Sequence, residues 1–181
     1  GEVGIIPQNY ILFNHRTVYD NLRLGVAHSG KELSEKAVRE LITEHAARFE
    51  SQDQLKKYPG QLSGGQRQRV SILQQVLTDN KFILLDEPFS GLDLFVLDKV
   101  IELLLKVSTM NELNTLIVVS HDIPTALAIA DEVWIMARQE GRKGATIVKA
   151  IDLKERGLAW QPHIQESRKF SELLDEVKKL M

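Results

Sequence analysis

The feature that most constrains the fold is a pair of short, uninterrupted apolar runs that each end in polar side chains. Phe82 to Leu85 is followed directly by Asp86-Glu87-Pro88. Thr115 to Val119 repeats this arrangement before Ser120-His121. Runs of this length without polar alternation are typical of strands buried on both faces of a parallel sheet. The two runs therefore predict an α/β fold.

Further segments alternate between strand-like and helix-like patterns. Strands are predicted over Val3 to Ile6, Glu132 to Ala137 and Thr146 to Ala150, and helices over Lys31 to Glu50, after Gln66, over Asp98 to Val107, Pro124 to Ala130 and Ser167 to Met181. The Gly-, Lys- and Arg-rich stretch Arg138 to Ala145 is interpreted as a hairpin loop. This alternation implies a parallel sheet with right-handed crossovers, and the last amphipathic helix is expected to dock on its own domain.

Composition excludes several classes of protein. The 181 residues are 43% hydrophobic, which is enough for one sizeable core and little more than one domain. A net charge of -2 argues against nucleic-acid binding through phosphate neutralisation. The absence of cysteine excludes disulfides and cysteine-ligated zinc. Every apolar run is far shorter than the ~20 residues that span a bilayer, so we expect any membrane link to go through a partner.

Leu62-Ser63-Gly64-Gly65-Gln66 directly precedes a predicted helix. The free amides of a first helical turn form an anion site, and glycines let those amides approach a phosphate closely. The Ser63 hydroxyl adds a further donor. We therefore interpret this segment as a phosphate-binding helix start, while a simple serine cap after a flexible turn is the structural alternative.

Two carboxylates follow the apolar run at residues 82–85. Ligands of open α/β sheets bind at the carboxyl ends of the strands, where Asp86 and Glu87 are expected to lie. Asp86 is placed to hold Mg²⁺ through a water, and Glu87 to accept a proton from an attacking water. An ordinary acidic turn is the alternative, although Pro88 and the following Ser90 to Asp93 fit the functional interpretation better.

His121 occupies the matching position after the second run. Its place beside the predicted carboxylates favours a phosphate contact, against the alternative of an ordinary loop histidine. No role is assigned to the other histidines, which are His15, His28, His45 and His163.

Together these residues resemble one family, the ATP-binding subunits of ABC (ATP-binding cassette) transporters. The resemblance covers essentially the whole chain and rests on five motifs in the family's order. They are the Q-loop glutamine Gln8, the signature Leu62 to Gln66, the Walker B strand Phe82 to Glu87, the D-loop Ser90 to Asp93 and the switch histidine His121. The resemblance implies an α/β P-loop NTPase fold, a parallel sheet with an inserted helical subdomain.

The resemblance also implies a division of this single, partial domain. The Q-loop strand is expected at 1–9, the helical subdomain with the signature at 10–78, the Walker B to switch-histidine core at 79–165 and a C-terminal helix at 166–181. The helical subdomain is the part expected to touch a membrane permease.

Residue roles follow from the same resemblance. Gln8 is expected to contact Mg²⁺ and the attacking water, Glu87 to polarise that water and His121 to contact the γ-phosphate. The signature residues Ser63 to Gln66 are expected to bind ATP held by an opposite cassette, with Asp93 also in the nucleotide site. The resemblance thus implies a transport ATPase that uses ATP and Mg²⁺, pairs with a second ATP-binding subunit and joins permease subunits at the cytoplasmic face of the membrane.

One family motif is not found. The Walker A loop, Gly-x-x-x-x-Gly-Lys-Ser/Thr, cradles the phosphates and should precede Gln8, whereas the sequence starts at Gly1. Gly25 to Glu32 satisfies the glycines and the lysine, but Glu32 replaces the Mg²⁺-binding hydroxyl and no apolar strand precedes Gly25. We reject this segment as a Walker A loop. The expectation is a truncated cassette, with an internal gap in its sheet, that binds ATP poorly alone.

Two other classes of protein fit the sequence less well. A DNA-repair or chromosome-maintenance ATPase would interrupt its cassette with long coiled coils, and the stretch from Gln8 to Ser63 shows no sustained heptads. A non-catalytic, degenerate cassette is disfavoured by Glu87 and His121. Within the family, Thr17 to Asn21 and His121 to Leu127 look like bacterial importers. The tail from Ile147 to Met181 is similar to the nitrate, sulfonate and taurine group.

Overall fold

The computed structural model describes residues 3–92, 94–110, 114–139, 141, 143–161 and 164–180. The chain forms two compact units, Gly1–Val119 and Ser120–Met181. Each unit is described below by itself. The four-part division expected from the family resemblance stays a prediction.

The first unit contains a three-stranded parallel sheet in the order β1-β2-β3. The strands are β1 (Val3–Ile6), β2 (Phe82–Asp86) and β3 (Thr115–Val119). Val3 pairs with Phe82, and Phe82 pairs with Thr115, so the three strands start level and their carboxyl ends lie at one edge. The parallel strands predicted from the apolar runs are confirmed, and this edge carries the polar residues that follow each run.

Only one face of this sheet is buried, which differs from the prediction of strands buried on both faces. Ile6, Ile83 and Leu85 are nearly inaccessible on the face next to the helices of this unit. The opposite face keeps large apolar side chains between 39% and 59% exposed, and these are Val3, Ile5, Phe82, Ile117 and Val119. The described helices of the unit therefore cover one side of the sheet.

Four helices accompany the sheet: α1 (Val18–His28), α2 (Glu35–Arg48), α3 (Gly64–Leu77) and α4 (Leu94–Met110). Short 3-10 turns at Gln52–Gln54 and Pro59–Gln61 connect α2 to α3. The helix predicted over Lys31 to Glu50 is present but starts later, because Ser34 caps its N-terminus by accepting the amide of Ala37. Helix α1 was not predicted.

The rejected Walker A candidate lies mostly in and just after α1, with Gly25 inside the helix and Gly30 beyond its end at φ +72°. The segment preceding Gly25 is helical, so the strand that a phosphate-binding loop requires before it is missing at this position. A Cβ on Gly25 would meet the Gln74 carbonyl oxygen at 2.5 Å. Gly25 is therefore explained by the close approach of α1 to α3.

The second unit combines an antiparallel hairpin with helices. It contains α5 (Ile123–Ile129), β4 (Glu132–Arg138), β5 (Ala145–Asp152), a 3-10 turn at Ile164–Glu166 and α6 (Arg168–Lys178). β4 and β5 pair antiparallel with an irregularity between Ile135 and Met136, as the interpretation of 138–145 as a hairpin loop requires. The last helix docks on its own unit as predicted, burying Phe170, Leu173 and Val177 in the core. None of the helices within the described ranges has the length and apolar character needed to cross a bilayer.

Candidate functional site

Gln8 lies in the loop that leaves β1 after Pro7. Its side chain is exposed, and its amide Nε2 donates a hydrogen bond to the Ser90 Oγ at 3.3 Å. Ser90 lies in the loop that leaves β2, the neighbouring parallel strand. The structure thus brings the predicted Q-loop glutamine against the first residue of the predicted D-loop, at the carboxyl edge of the sheet where ligands bind in this class of fold.

Asp86 and Glu87 lie where the sequence predicted them, at the carboxyl end of β2. Asp86 is exposed and in register with Val119 of β3. The Glu87 amide donates to the Val119 carbonyl at 2.8 Å, which continues the pairing one residue past the strand. Glu87 then adopts φ +50°, a left-handed conformation uncommon for residues other than glycine. Such backbone strain persists where the surrounding structure over-determines it, and it is concentrated at functional sites.

The N-terminus of α3 is built by a reciprocal capping arrangement. Ser63 Oγ accepts the amide of Gln66 at 3.3 Å, and Gln66 Oε1 accepts the amide of Ser63 at 3.0 Å. The Gln66 side chain is thus engaged in the cap. The amides of Gly64 and Gly65 lie in the first turn, where a helix offers no acceptor of its own, so they and the Ser63 O–H form the donor group of this helix start.

Packing among the described residues does not explain why residue 64 is a glycine. A Cβ built on it would meet no heavy atom within 4 Å, and its φ is not positive. By contrast, Gly25 is required by a neighbouring helix. The fold of the chain itself therefore leaves room beside the Gly64 amide, as expected if the glycine admits an anion to the start of α3.

His121 lies two residues beyond β3 and belongs to the second unit. Its imidazole is exposed, and its carbonyl accepts the amide of Ile123 at 3.0 Å. Asp122 caps α5 by accepting the amide of Thr125 at 3.3 Å. The local turn that presents His121 at the start of α5 is therefore well defined, and its role stays a prediction.

Asp93 and the histidines without an assigned role complete the set of residues singled out from the sequence. Asp93, predicted to lie in the nucleotide site, falls outside the described residues, as does His163. His15 lies edge-on to the Phe13 ring at 5.9 Å, and His28 and His45 each contact the carbonyl four residues earlier in their own helices. These contacts account for the three histidines structurally.

The side chains at the sheet edge suit a Mg²⁺ ion that is bound together with a nucleotide better than a metal held by protein ligands alone. Within the part of the chain that the structure describes, no three acidic or histidine side chains come together as a metal cluster. The exposed Asp86 carboxylate and the nearby Gln8 amide offer hard oxygen ligands. Because Mg²⁺ is commonly held by one or two carboxylates together with substrate phosphates, these residues fit a metal that is bound with a nucleotide.

Sequence reasoning missed two residues that converge on the loop after β2. The Tyr10 hydroxyl and the Gln68 Nε2 both donate to the Pro88 carbonyl, at 3.4 Å and 2.8 Å. Burial raises the pKa of Tyr10 above its usual value of 10.0. The available signal for Gln68 was its spacing of four from the buried Ile72, which places a polar side chain on the inner face of α3.

Comparison with known proteins agrees with the family resemblance. The family described as ABC transporter matches residues 1–90. Over 143 residues the chain is 37% identical to a sulfate/thiosulfate import ATP-binding protein from Bacillus cereus, covering 78% of this chain and 39% of that protein. The chain therefore spans about two fifths of the length of this curated relative.

Two solved structures share the fold. cbiO1 from Clostridium perfringens, described as part of the ABC transporter complex cbiONQ, is 26% identical with a TM-score of 0.73, over 99% of this chain and 67% of that one. An ATP-binding cassette solved as a dimer in a post-hydrolysis state with ADP and Pi is 26% identical with a TM-score of 0.68, over 84% of this chain and 63% of that one.

Proposed function

Given that this chain belongs to the ATP-binding domains of ABC transporters, we propose that it forms part of the ATP-hydrolysing subunit of a bacterial importer. The observation that carries the proposal is that Ser90, at the carboxyl edge of the parallel sheet, accepts the Gln8 amide with its Oγ and donates its own amide to the Glu87 carbonyl at 3.3 Å. The donors at the start of α3 add a second phosphate-binding element. The curated relative named above is itself an import ATP-binding protein.

Hydrolysis on this site is attack of water on the γ-phosphorus, which breaks the bond to the β,γ-bridging oxygen and releases ADP. Glu87 accepts the proton of the attacking water, and Gln8 orients that water. His121 stays the residue that the family resemblance predicts to contact a γ-phosphate. Asp86 and Gln8 would hold Mg²⁺, which neutralises charge on the phosphate oxygens when it is bound.

The start of α3 acts on a nucleotide held by a second cassette. Its Gly64 and Gly65 amides and the Ser63 hydroxyl form a donor set suited to a phosphate that arrives from outside the chain, and a Cβ on Gly64 would meet no heavy atom within 4 Å. The dimeric cassette with ADP and Pi supports a pair of ATP-binding subunits. The second cassette is thus the proposed partner for Ser63 to Gln66, and Asp93 stays a predicted residue of the nucleotide site.

A permease is the other proposed partner. The cbiO1 relative is described as part of a transporter complex, and we place this subunit at the cytoplasmic face of the inner membrane through such a permease. The helical segment 10–78 is the part proposed to contact it. Between Gln8 and Ser63 lie two helices of 11 and 14 residues and two short 3-10 turns. Helices of this length disfavour the long coiled-coil insertion of a chromosome-maintenance ATPase.

The narrower proposal is an importer of the nitrate, sulfonate and taurine group, and it rests on the tail 147–181. Sulfate and thiosulfate, named for the curated relative, are also sulfur oxyanions. Substrate choice belongs to the permease and binding protein. Uptake of labelled taurine and sulfate by cells with and without the subunit tests this proposal, and equal uptake in both strains contradicts it.

Glu87→Gln in the full-length polypeptide tests the proposed chemistry. The amide cannot accept the proton of the attacking water, so we expect ATP turnover to fall by about 100-fold or more while ATP-dependent dimerisation is retained. Phosphate release and size-exclusion chromatography with ATP measure the two properties. Glu40→Gln, on the exposed surface of α2, is the control and should leave both unchanged. Wild-type turnover in Glu87→Gln would refute Glu87 as the base.

A further inference from the structure

The Pro88 carbonyl is a meeting point of three segments of the first unit. Pro88 directly follows Glu87 in the loop after β2. Its oxygen accepts the Gln68 Nε2 of α3 at 2.8 Å and the Tyr10 hydroxyl of the loop after β1 at 3.4 Å. A carbonyl oxygen has two lone pairs, so these two donors saturate it.

The Gln68 bond lies in a buried environment, whereas Tyr10 is half-buried. Gln68 is fully buried, and Pro88 is buried as well. Partial burial also raises the pKa of the Tyr10 phenol, which is the second donor. A hydrogen bond between buried groups is costly to remove, because the partner left behind cannot recover a bond to water.

Gln68 is not the side chain that stability alone would select. Its Oε1 is buried and accepts no hydrogen bond within the described residues. A buried polar atom without a partner costs free energy, and an apolar side chain of similar shape would avoid that cost. The bond to Pro88 is the one interaction that the Gln68 amide makes among those described, so the reason for an amide at this position lies at Pro88.

The backbone at both ends of this contact is strained. Glu87 has φ +50° and Tyr10 has φ +47°, and neither is a glycine. Conformations of this kind persist only where neighbouring bonds impose them. The Pro88 ring fixes the φ that lies between the Glu87–Pro88 peptide bond and the Pro88 carbonyl, so holding this carbonyl restricts the movement of the backbone that carries the Glu87 side chain.

We propose that Gln68 and Tyr10 are positioning residues that hold the Pro88 carbonyl and thereby orient the Glu87 carboxylate toward the attacking water. This inference rests on the proposed function, in which Glu87 is the base. It also ties that base to the start of α3, because Gln68 lies five residues from Ser63, about 7.5 Å along the helix axis.

The test uses the full-length polypeptide with Gln68→Met and Tyr10→Phe, singly and together. Each substitution removes a donor and keeps the side chain close to its original volume. We expect kcat for ATP hydrolysis to fall about three- to tenfold for each single change, with the KM for ATP within about twofold of wild type. Because both donors act on one carbonyl, the effects of the double variant should be non-additive.

Gln74→Met is the matched control for Gln68. Gln74 lies on the same helix, and its Nε2 also donates to a backbone carbonyl at 2.8 Å, that of Asn21. We expect it to lower the melting temperature about as much as Gln68→Met while kcat stays at the wild-type value. Tyr19→Phe is the corresponding control for Tyr10, since Tyr19 lies on α1 and takes no part in the contact at Pro88.

The outcomes separate a failure of the positioning role from a failure of Glu87 as the proposed base. Equal kcat losses in Gln68→Met and Gln74→Met would show a purely structural role and overturn the inference. If Gln68→Met does not fold, Tyr10→Phe decides alone, and a wild-type kcat overturns it. Loss of turnover in Glu87→Gln with unchanged kcat in both donor variants defeats the positioning role only. Full turnover in Glu87→Gln defeats the proposed base and this inference together.

Discussion

Asn21 shows how one buried side chain organises the segment between β1 and α1. It is fully buried, its Oδ1 accepts the Phe13 amide at 2.8 Å, and its Nδ2 donates to the carbonyls of Phe13, Arg16 and Thr17. The side chain therefore ties the backbone of the preceding loop to the start of α1 through four hydrogen bonds. The loop that carries Gln8 and Tyr10 enters α1 through this network.

Replacing Asn21 with alanine should lower the free energy of unfolding by about 2 to 3 kcal/mol, because the four hydrogen bonds of a fully buried side chain are lost. Asn21→Asp should cost more, since a carboxylate would face three carbonyl oxygens. Urea denaturation of the variants measures both effects. The control is Asn14→Ala in the same loop, where the side chain is exposed, and its change should stay within about 0.5 kcal/mol. Equal midpoints for Asn21→Ala and Asn14→Ala would contradict the assigned role.

At the scale of elements, the close packing of α1 on α3 depends on Gly25. A methyl group there would lie 2.5 Å from the Gln74 carbonyl oxygen, a backbone atom that cannot rotate away. Gly25→Ala should therefore destabilise the protein by about 1 to 3 kcal/mol, although alanine is the better helix former by up to about 1 kcal/mol.

Gly64→Ala is the matched comparison for Gly25→Ala, because a methyl at Gly64 meets no heavy atom within 4 Å. Its free energy of unfolding should stay within about 0.5 kcal/mol of wild type, while ATP turnover of the full-length protein falls because the methyl obstructs a phosphate at the start of α3. Thermal and urea unfolding give the stabilities. A Gly25→Ala variant as stable as Gly64→Ala would show that α1 shifts without cost.

The sequence predicted secondary-structure elements well where an apolar run was bounded by residues that end strands or helices. β1, β2 and β3 follow the apolar runs almost residue for residue, and the hairpin of the second unit follows its Gly-rich loop. Helix α1 was missed because its apolar residues are interrupted by polar ones, although Thr17 and Asp20 form a capping box that could have marked its start. Side-chain hydrogen bonds across 20 to 82 positions, such as Gln68 to Pro88 and Gln8 to Ser90, leave no periodic signal at all.

At the scale of the whole molecule, the sheet of the first unit has one face buried under helices and one open face, which is exposed. Parallel sheets are normally covered on both sides. Here the large apolar side chains of the open face reach 59% exposure, and the described helices of this unit supply no second layer over them. The apolar runs in the sequence predicted the hydrophobic character of both faces correctly. Which face is covered depends on the elements around the sheet, and this was not predictable from the strands.

The candidate phosphate-binding groups in the described part of the chain belong to the start of α3, and no Walker A-type loop accompanies them. The start of α3 offers two glycine amides and a serine hydroxyl, and the Gly25 to Glu32 segment that imitates a Walker A loop is largely helical. These groups supply no lysine cradle for a nucleotide of the chain's own. We therefore expect the 181-residue chain by itself to bind ATP with a Kd of about 1 mM or weaker in the presence of Mg²⁺. Isothermal titration calorimetry of this chain with ATP measures the Kd, and micromolar, Mg²⁺-dependent binding by the 181 residues would show that another phosphate site exists within them.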